Sequence, residues 1–241
     1  MRNRILAALL LCAALPATAK DVEIRDSCDP SCQDAFEVMA EDLVATIDYK
    51  ANGPAEATGI LGVGLGVFGT YTSVGDEWDY VTGSDFSGIG FAGVQATKGL
   101  PLNIDVGVAY ASAPGTNVKY TAGQIRWAIL PGSTVSPAVA LGASYSKVTG
   151  IDDFDLDSQS IDLSVSKGFA MFTPFAGVGY VKGSADPNGN AALVLDEAEV
   201  KETKLYAGAR LSLGFLEFTP QVTRIGDATS YSARFGFSFS L

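Results

Sequence analysis

The chain has 241 residues, 47% of them hydrophobic and only 18% charged, with a formal net charge of −11. It contains no histidine, which removes Ser-His-Asp and Cys-His relays, imidazole metal sites and histidine proton shuttles. The acidic balance, with a pI of about 4.4, excludes unassisted nucleic-acid binding, which needs a basic face to displace counterions from phosphates.

Residues 1–19 read as a secretory signal peptide. Arg2 and Arg4 form a basic start, residues 5–15 an apolar run, and Ala17-Thr18-Ala19 a small-residue cleavage site. The run is too short for a transmembrane helix, which needs about 20 apolar residues. Cys12 follows Leu11 where a lipid-anchor signal requires a small residue, so no anchor is expected. Cleavage removes two arginines and leaves a net charge of −13. The two remaining cysteines, Cys28 and Cys32, then face an oxidising compartment and are expected to form a disulfide. Their spacing also occurs in metal sites, but two thiols without histidine make a poor zinc site.

Residues 29–50 carry Phe36, Met39, Ala40, Leu43, Val44 and Ile47 at three- and four-residue spacing, with Glu37, Glu41, Asp42 and Asp48 opposite. That is an amphipathic helix. Asp29 suits its cap and Pro30 its first turn, and the stretch 51–55 ends it. The helix could plug or flank the following domain or lie free. We assign residues 20–58 to a periplasmic N-terminal segment and 59–241 to the domain itself.

From Gly59 onward the hydrophobic period is two. Leu61, Val63, Leu65 and Val67 alternate with glycines and Phe68; Phe235, Phe237 and Phe239 alternate with Arg234, Gly236 and Ser238. One face of each segment is large and apolar, the other Gly, Ser, Ala or an occasional charge. A soluble sandwich would carry Lys, Glu and Thr on its outer face. A narrow barrel with its greasy face in lipid needs the pattern seen. Ten segments follow: 60–72, 88–97, 102–111, 118–129, 134–146, 158–167, 173–182, 201–213, 216–224 and 230–241. Their connections alternate between short turns (98–101, 130–133, 168–171, 214–215) and longer polar ones (73–87, 147–157, 183–200, with 112–117 and 225–229 on the same side). The expected fold is therefore all-β: a ten-stranded, antiparallel, up-and-down transmembrane β-barrel preceded by a short amphipathic helix. Pro101, Pro137, Pro174 and Pro220 fall near strand starts, where proline is tolerated.

The C-terminal run Arg234-Phe235-Gly236-Phe237-Ser238-Phe239-Ser240-Leu241 resembles the closing-strand signal of Gram-negative outer-membrane proteins, although such signals usually end in Phe and this one ends in Leu241. Residues 98–113, 167–174 and 226–233 are similar to an uncharacterised family of small proteobacterial outer-membrane barrels. The resemblance implies insertion by the barrel-assembly machinery through Phe235, Gly236, Phe237, Phe239 and Leu241, and residence among outer-membrane lipid and lipopolysaccharide. It brings no activity.

Strand parity turns Asp105, Asp162, Glu217, Arg126, Arg210 and Arg234 inward. Buried charges must pair, so the three arginines are expected to pair with the three carboxylates, with Gln95, Gln124, Gln221, Thr219 and Thr223 completing the network. A sealed lumen is the preferred reading and a selectivity ring in a narrow pore the alternative. Asp152, Asp153, Asp155 and Asp157 read as a solvated acidic rim rather than a cation site, because no glycine or distant Glu completes a calcium loop. The glycine-rich stretch 62–66 lies inside a strand and is no dinucleotide loop. Asp76 and Asp79 could form a carboxylate acid–base pair, but no feature of the sequence supports one. The expectation is a monomeric structural or interaction barrel with acidic outward loops, not an enzyme, with no cofactor, metal or nucleic-acid partner.

Overall fold

The computed structural model describes residues 24, 32–83, 87–133 and 135–239. The signal peptide, Cys12, Cys28, Asp29, Pro30 and Leu241 lie outside the described residues. Ten antiparallel strands close on themselves. They are β1 (Val63–Ser73), β2 (Gly88–Leu100), β3 (Ile104–Ser112), β4 (Lys119–Leu130), β5 (Ala138–Thr149), β6 (Phe154–Ser166), β7 (Phe172–Pro187), β8 (Ala198–Leu213), β9 (Leu216–Ile225) and β10 (Ala228–Phe239). Each strand pairs with its sequence neighbours, and β1 pairs with β10 from Val63↔Phe239 to Thr72↔Ser230. Closure leaves no free edge, so every strand's backbone groups find partners within the sheet. No helix among the described residues is long and apolar enough to cross a membrane.

Burial follows the period-two sequence. Along β6 the pattern alternates strictly, with Phe154, Leu156, Ser158, Ser160, Asp162, Ser164 and Ser166 facing in. Outside, two aromatic rings bound an apolar belt. Tyr71, Tyr110, Tyr145, Tyr180 and Tyr231 are exposed toward the longer connections; Trp127, Phe172, Phe215, Phe235, Phe237 and Phe239 are exposed toward the short turns. Between them the outward positions carry Leu65, Val67, Val94, Val108, Ile125, Ile161, Leu163, Leu205 and Val222, and no charged residue. That arrangement is the signature of a membrane-spanning barrel.

Two connections are shorter than their polarity suggests. The segments 147–157 and 183–200 were expected as loops; β5 runs to Thr149, β6 starts at Phe154, β7 reaches Pro187 and β8 starts at Ala198. The strands continue past the lipid belt, where outward positions can carry charge. Asp155 and Asp157 point out while Phe154 and Leu156 stay buried.

The helix α1 (Gln33–Ile47) packs with the barrel rather than apart from it. It lies inside the barrel, and the boundary expected at residue 58 does not divide the packing. Phe36, Met39, Ala40, Leu43, Val44 and Ile47 share one buried cluster with Phe68, Phe91, Tyr120, Phe154, Leu156, Val181 and Ile225 of the wall. Asp34, Glu37 and Val38 on the first turns are exposed, whereas every residue from Asp42 to Lys50 is buried. The helix is amphipathic where it meets solvent and surrounded where it descends. A second helix, α2 (Glu77–Thr82), sits in the β1–β2 connection and buries Trp78 and Val81 against α1.

Candidate functional site in the barrel lumen

Three layers fill the lumen. Nearest the longer connections is the apolar cluster around α1, where Phe36 meets Phe154 edge-on at 6.0 Å. Two inward glycines make room for the plug. A Cβ at Gly183 would lie 2.6 Å from a Val44 methyl, and one at Gly107 would lie within 2.4 Å of the Tyr49 hydroxyl. The small inward face inferred from the sequence is therefore small because a helix and its trailing segment occupy the space.

The middle layer is polar and buried. The Thr46, Thr72 and Ser230 hydroxyls form a chain at 2.7 and 2.8 Å, and Ser230 donates to the Ala45 carbonyl at 3.0 Å. Lys50 donates to the Ala45 and Asp48 carbonyls at 2.6 and 2.8 Å. It thus places a cation on the negative end of the α1 dipole. Asp48 pairs with Lys204 of β8 at 2.6 Å and with Lys50 at 3.8 Å, and the Asp48 and Lys204 side chains are 1% and 3% exposed. Gln95 donates to the Tyr49 hydroxyl and the Lys50 carbonyl. Ser232 donates to the Asn52 side chain, and the Asn52 amide donates to Gln221.

The third layer, nearest the short turns, holds the residues singled out by parity. Asp105 and Arg126, cross-strand partners on β3 and β4, pair at 2.9 Å. Both also hold the plug: Arg126 donates to the Pro54 carbonyl at 2.7 Å, and Asp105 accepts from the Thr58 amide at 3.0 Å. Glu217 is shared by Arg210 at 3.5 Å and Arg234 at 3.4 Å, and it accepts from Ser238 at 2.6 Å. Glu56 of the plug gives Arg210 a second carboxylate at 3.2 Å.

One expected pairing is absent. Asp162 forms no ion pair with an arginine among the described residues. It accepts from the Tyr206 hydroxyl at 2.6 Å, because Arg126 is held by its cross-strand partner and Arg210 by Glu56 and Glu217. The plug residues Asp48, Lys50 and Glu56 were not anticipated, nor was Lys204. Lys204 was reachable, since stepping back by two from Arg210, Gly208 and Tyr206 lands on it. Among the described residues Gln124 joins no hydrogen bond in this network, whereas Gln95 and Gln221 do.

At the outer rim, Asp42 of α1 accepts from the Trp78 indole at 2.9 Å. It lies one turn above Thr46, beyond the Tyr71 ring and clear of the lipid belt. Burial pushes its carboxyl up to about 6; the indole hydrogen bond opposes this, and Glu41 and Glu77 add to it. Asp155 sits 3.8 Å from Lys147 and accepts from Asn188, while Asp157 accepts from Ser184. No cluster of three metal-ligating side chains forms among the described residues. Asp79 belongs to α2 and Asp76 to its N-cap, both exposed at the rim. Cys32 is buried at the start of α1. Phe235, Phe237 and Phe239 point outward in the aromatic ring at the short-turn end of the belt, while a Cβ on Gly236 would strike the Leu65 carbonyl at 2.3 Å.

Residues 29–239 match the family of unknown function DUF6588. The chain belongs to that family. No curated protein matches it. Among solved structures it is similar to Neisserial surface protein A, at 8% identity and a TM-score of 0.31, over 75% of this chain and 97% of that one. The attachment invasion locus protein Ail of Yersinia pestis, bound to the heparin analogue sucrose octasulfate, is similar at 9% identity and 0.31, over 74% and 97%. Salmonella typhi OmpF in complex with daunomycin is similar at 14% and 0.30, over 86% and 72%. At these values the likenesses carry no functional meaning for this chain.

Proposed function

We propose that this protein is a self-plugged outer-membrane barrel that serves as a scaffold for its acidic outward face rather than as a conduit. The observation that carries the reading is the filled lumen: α1 and residues 48–58 occupy the interior, held by Lys204, Gln95, Arg126 and Asp105. A pore needs a continuous wet path, and the described lumen is packed by apolar side chains above and by ion pairs below. The outer-membrane location rests on the apolar belt, the aromatic rings and the short-turn and long-loop asymmetry, together with the signal peptide read at 1–19. On this reading outer-membrane lipid and lipopolysaccharide surround the barrel. The barrel-assembly machinery reads the aromatic C-terminal strand, and the unit is a monomer. The cysteines Cys28 and Cys32 form a disulfide at the start of the plug; thiol labelling of unreduced protein would then find no free thiol, and two labelled cysteines would refute it.

The test of function is planar-bilayer conductance of the refolded full-length protein. The scaffold reading expects no steady channel at moderate voltage. A stable, ion-selective conductance in the unmodified protein would overturn it in favour of a narrow pore filtered by the same arginines and carboxylates.

A further inference from the structure

The plug has a direction, and the direction assigns a side to each of its ends. At its beginning, Gln33 and Asp196 of the β7–β8 connection exchange hydrogen bonds, and the Ile24 amide donates to Asp153 of the β5–β6 connection at 2.7 Å. Slightly deeper, Glu41 accepts from the Asp227 amide in the β9–β10 connection at 2.6 Å, and Asp42 accepts from Trp78 in the β1–β2 connection. Four of the connections at the long-loop end thus grip the first part of the plug. At its finish, Pro54, Glu56 and Thr58 meet Arg126, Arg210 and Asp105 near the short turns. Lys98 then donates to the Ile60 carbonyl, and β1 begins beside the end of β10.

We infer that the chain preceding α1 emerges on the long-loop side, so that in the outer membrane the mature N-terminus stands on the cell surface. The inference rests on the outer-membrane reading above, in which the short turns face the periplasm. It reverses the default for an up-and-down barrel whose first strand starts at the turn end, where a leading segment would stay in the periplasm. Here the leading segment passes once through the lumen before β1 begins. The outward face is consequently composite. The exposed first turns of α1, with Asp34, Glu37 and Val38, sit among α2 and the loops, so anything approaching from outside meets the plug as well as the rim. Moving Ile24 and Gln33 to the other side would require withdrawing fifteen helical residues, nine of them buried, and separating Asp48 from Lys204.

The unmodified protein carries its own reporters. Lys182 and Lys201 are exposed near the long-loop end; Lys167 lies in the β6–β7 short turn, where it donates to the Ser133 carbonyl. Lys20 is the first residue left once the chain is cut after Ala19, and so marks the mature N-terminus. Cells expressing the full chain are treated, intact or lysed, with an amine reagent on a polymer too large to cross the outer membrane, and labelled lysines are identified by mass spectrometry. The expected result is that Lys20 labels on intact cells together with Lys182 and Lys201, and Lys167 only after lysis. If Lys182 and Lys201 label on intact cells while Lys20 labels only after lysis, the inference is overturned and the membrane reading stands. If all four label only after lysis, the outer-membrane reading fails and takes the inference with it. A short epitope inserted between Asp21 and Val22, probed by antibody on intact and permeabilised cells, repeats the measurement independently of amine reactivity: binding to intact cells supports the inference, and binding after permeabilisation alone overturns it.

Discussion

Replacing Asp48 by Asn should unseat the plug. The carboxylate lies 2.6 Å from Lys204 and 3.8 Å from Lys50, with all three residues buried. At an effective dielectric of about 20 the closer contact alone corresponds to roughly 6 kcal/mol of gross attraction. Most of that offsets the desolvation of the two ions, so the informative quantity is the cost of removing one partner, about 3–5 kcal/mol for a buried pair. Lys50 keeps the Ala45 and Asp48 carbonyls, whereas Lys204 retains longer contacts to the Tyr49 carbonyl and Ser160 at 3.3 and 3.5 Å and to the Tyr206 ring at 5.5 Å. The penalty therefore falls on Lys204, and Lys204→Met should recover much of it in the double variant. The assay is denaturant unfolding in detergent micelles for the two single variants and the double, alongside single-channel recording. Asp48→Asn is expected to lower stability by about 3 kcal/mol or more and to show intermittent openings; the double variant should be quiet and nearer the parent. Additive losses, with a coupling below about 0.5 kcal/mol, would refute the assignment of this pair as the plug's central tether.

In the lower layer, Arg234 has Glu217 as its carboxylate while Arg210 also has Glu56. The coupling measured by double-variant cycles should therefore be larger for Arg234→Met with Glu217→Met than for Arg210→Met with Glu217→Met; the reverse order would contradict the geometry. Gly183→Ala drives a methyl against both Val44 methyls and the Asp157 carbonyl, so it should cost about 1–3 kcal/mol in the same unfolding assay, and Val44→Ala should restore part of it. The raised carboxyl of Asp42 makes the rim pH-dependent. Because its folded value, about 6, exceeds the ordinary 3.8, burial disfavours the ionised form, and folding stability rises as pH falls through 6 toward 4 even though the protonated carboxyl accepts a weaker bond from Trp78. In a Trp127→Phe background, the Trp78 emission should change over that window, and Asp42→Asn should flatten the profile; an unchanged profile in that variant would assign the titration elsewhere.

The barrel was legible because its physics repeats. Alternation in segments such as 104–110 and 231–239 records a lipid face and an inner face at every second residue, and each of the ten expected segments overlaps a strand, though with shifted ends. The inward charges were legible for the same reason, since Arg126, Arg210 and Arg234 each fall on the small face of their strand. The plug's location was not. Phe36 to Ile47 shows that one helix face is buried, but periodicity does not say against what. The relevant information is spread over Gly107, Gly183 and Lys204, each unremarkable within its own strand. Pairing inside the lumen was also only partly readable, because a residue such as Glu56 enters from a segment with no strand parity. The extension of β6 and β8 was hidden by their charged outward residues, which read as loop until Phe154, Leu156 and Val200 are seen packing inward.

The contacts that seat the plug span most of the chain. Tyr49 meets Lys204 across 155 positions, Asn52 meets Ser232 across 180, and Glu41 meets Asp227 across 186. Nothing local in the sequence rewards α1 for taking its place, and loop-closure entropy must be paid before those partners arrive. Folding order is thereby constrained: α1, though it precedes all ten strands, is among the last elements to become committed. Until then it carries an apolar stripe with no surface of its own to cover it, so the interval before β8, β9 and β10 assemble is when this protein is most exposed to aggregation. Delays in adding the final strands should therefore be felt first by the helix at the other end of the chain.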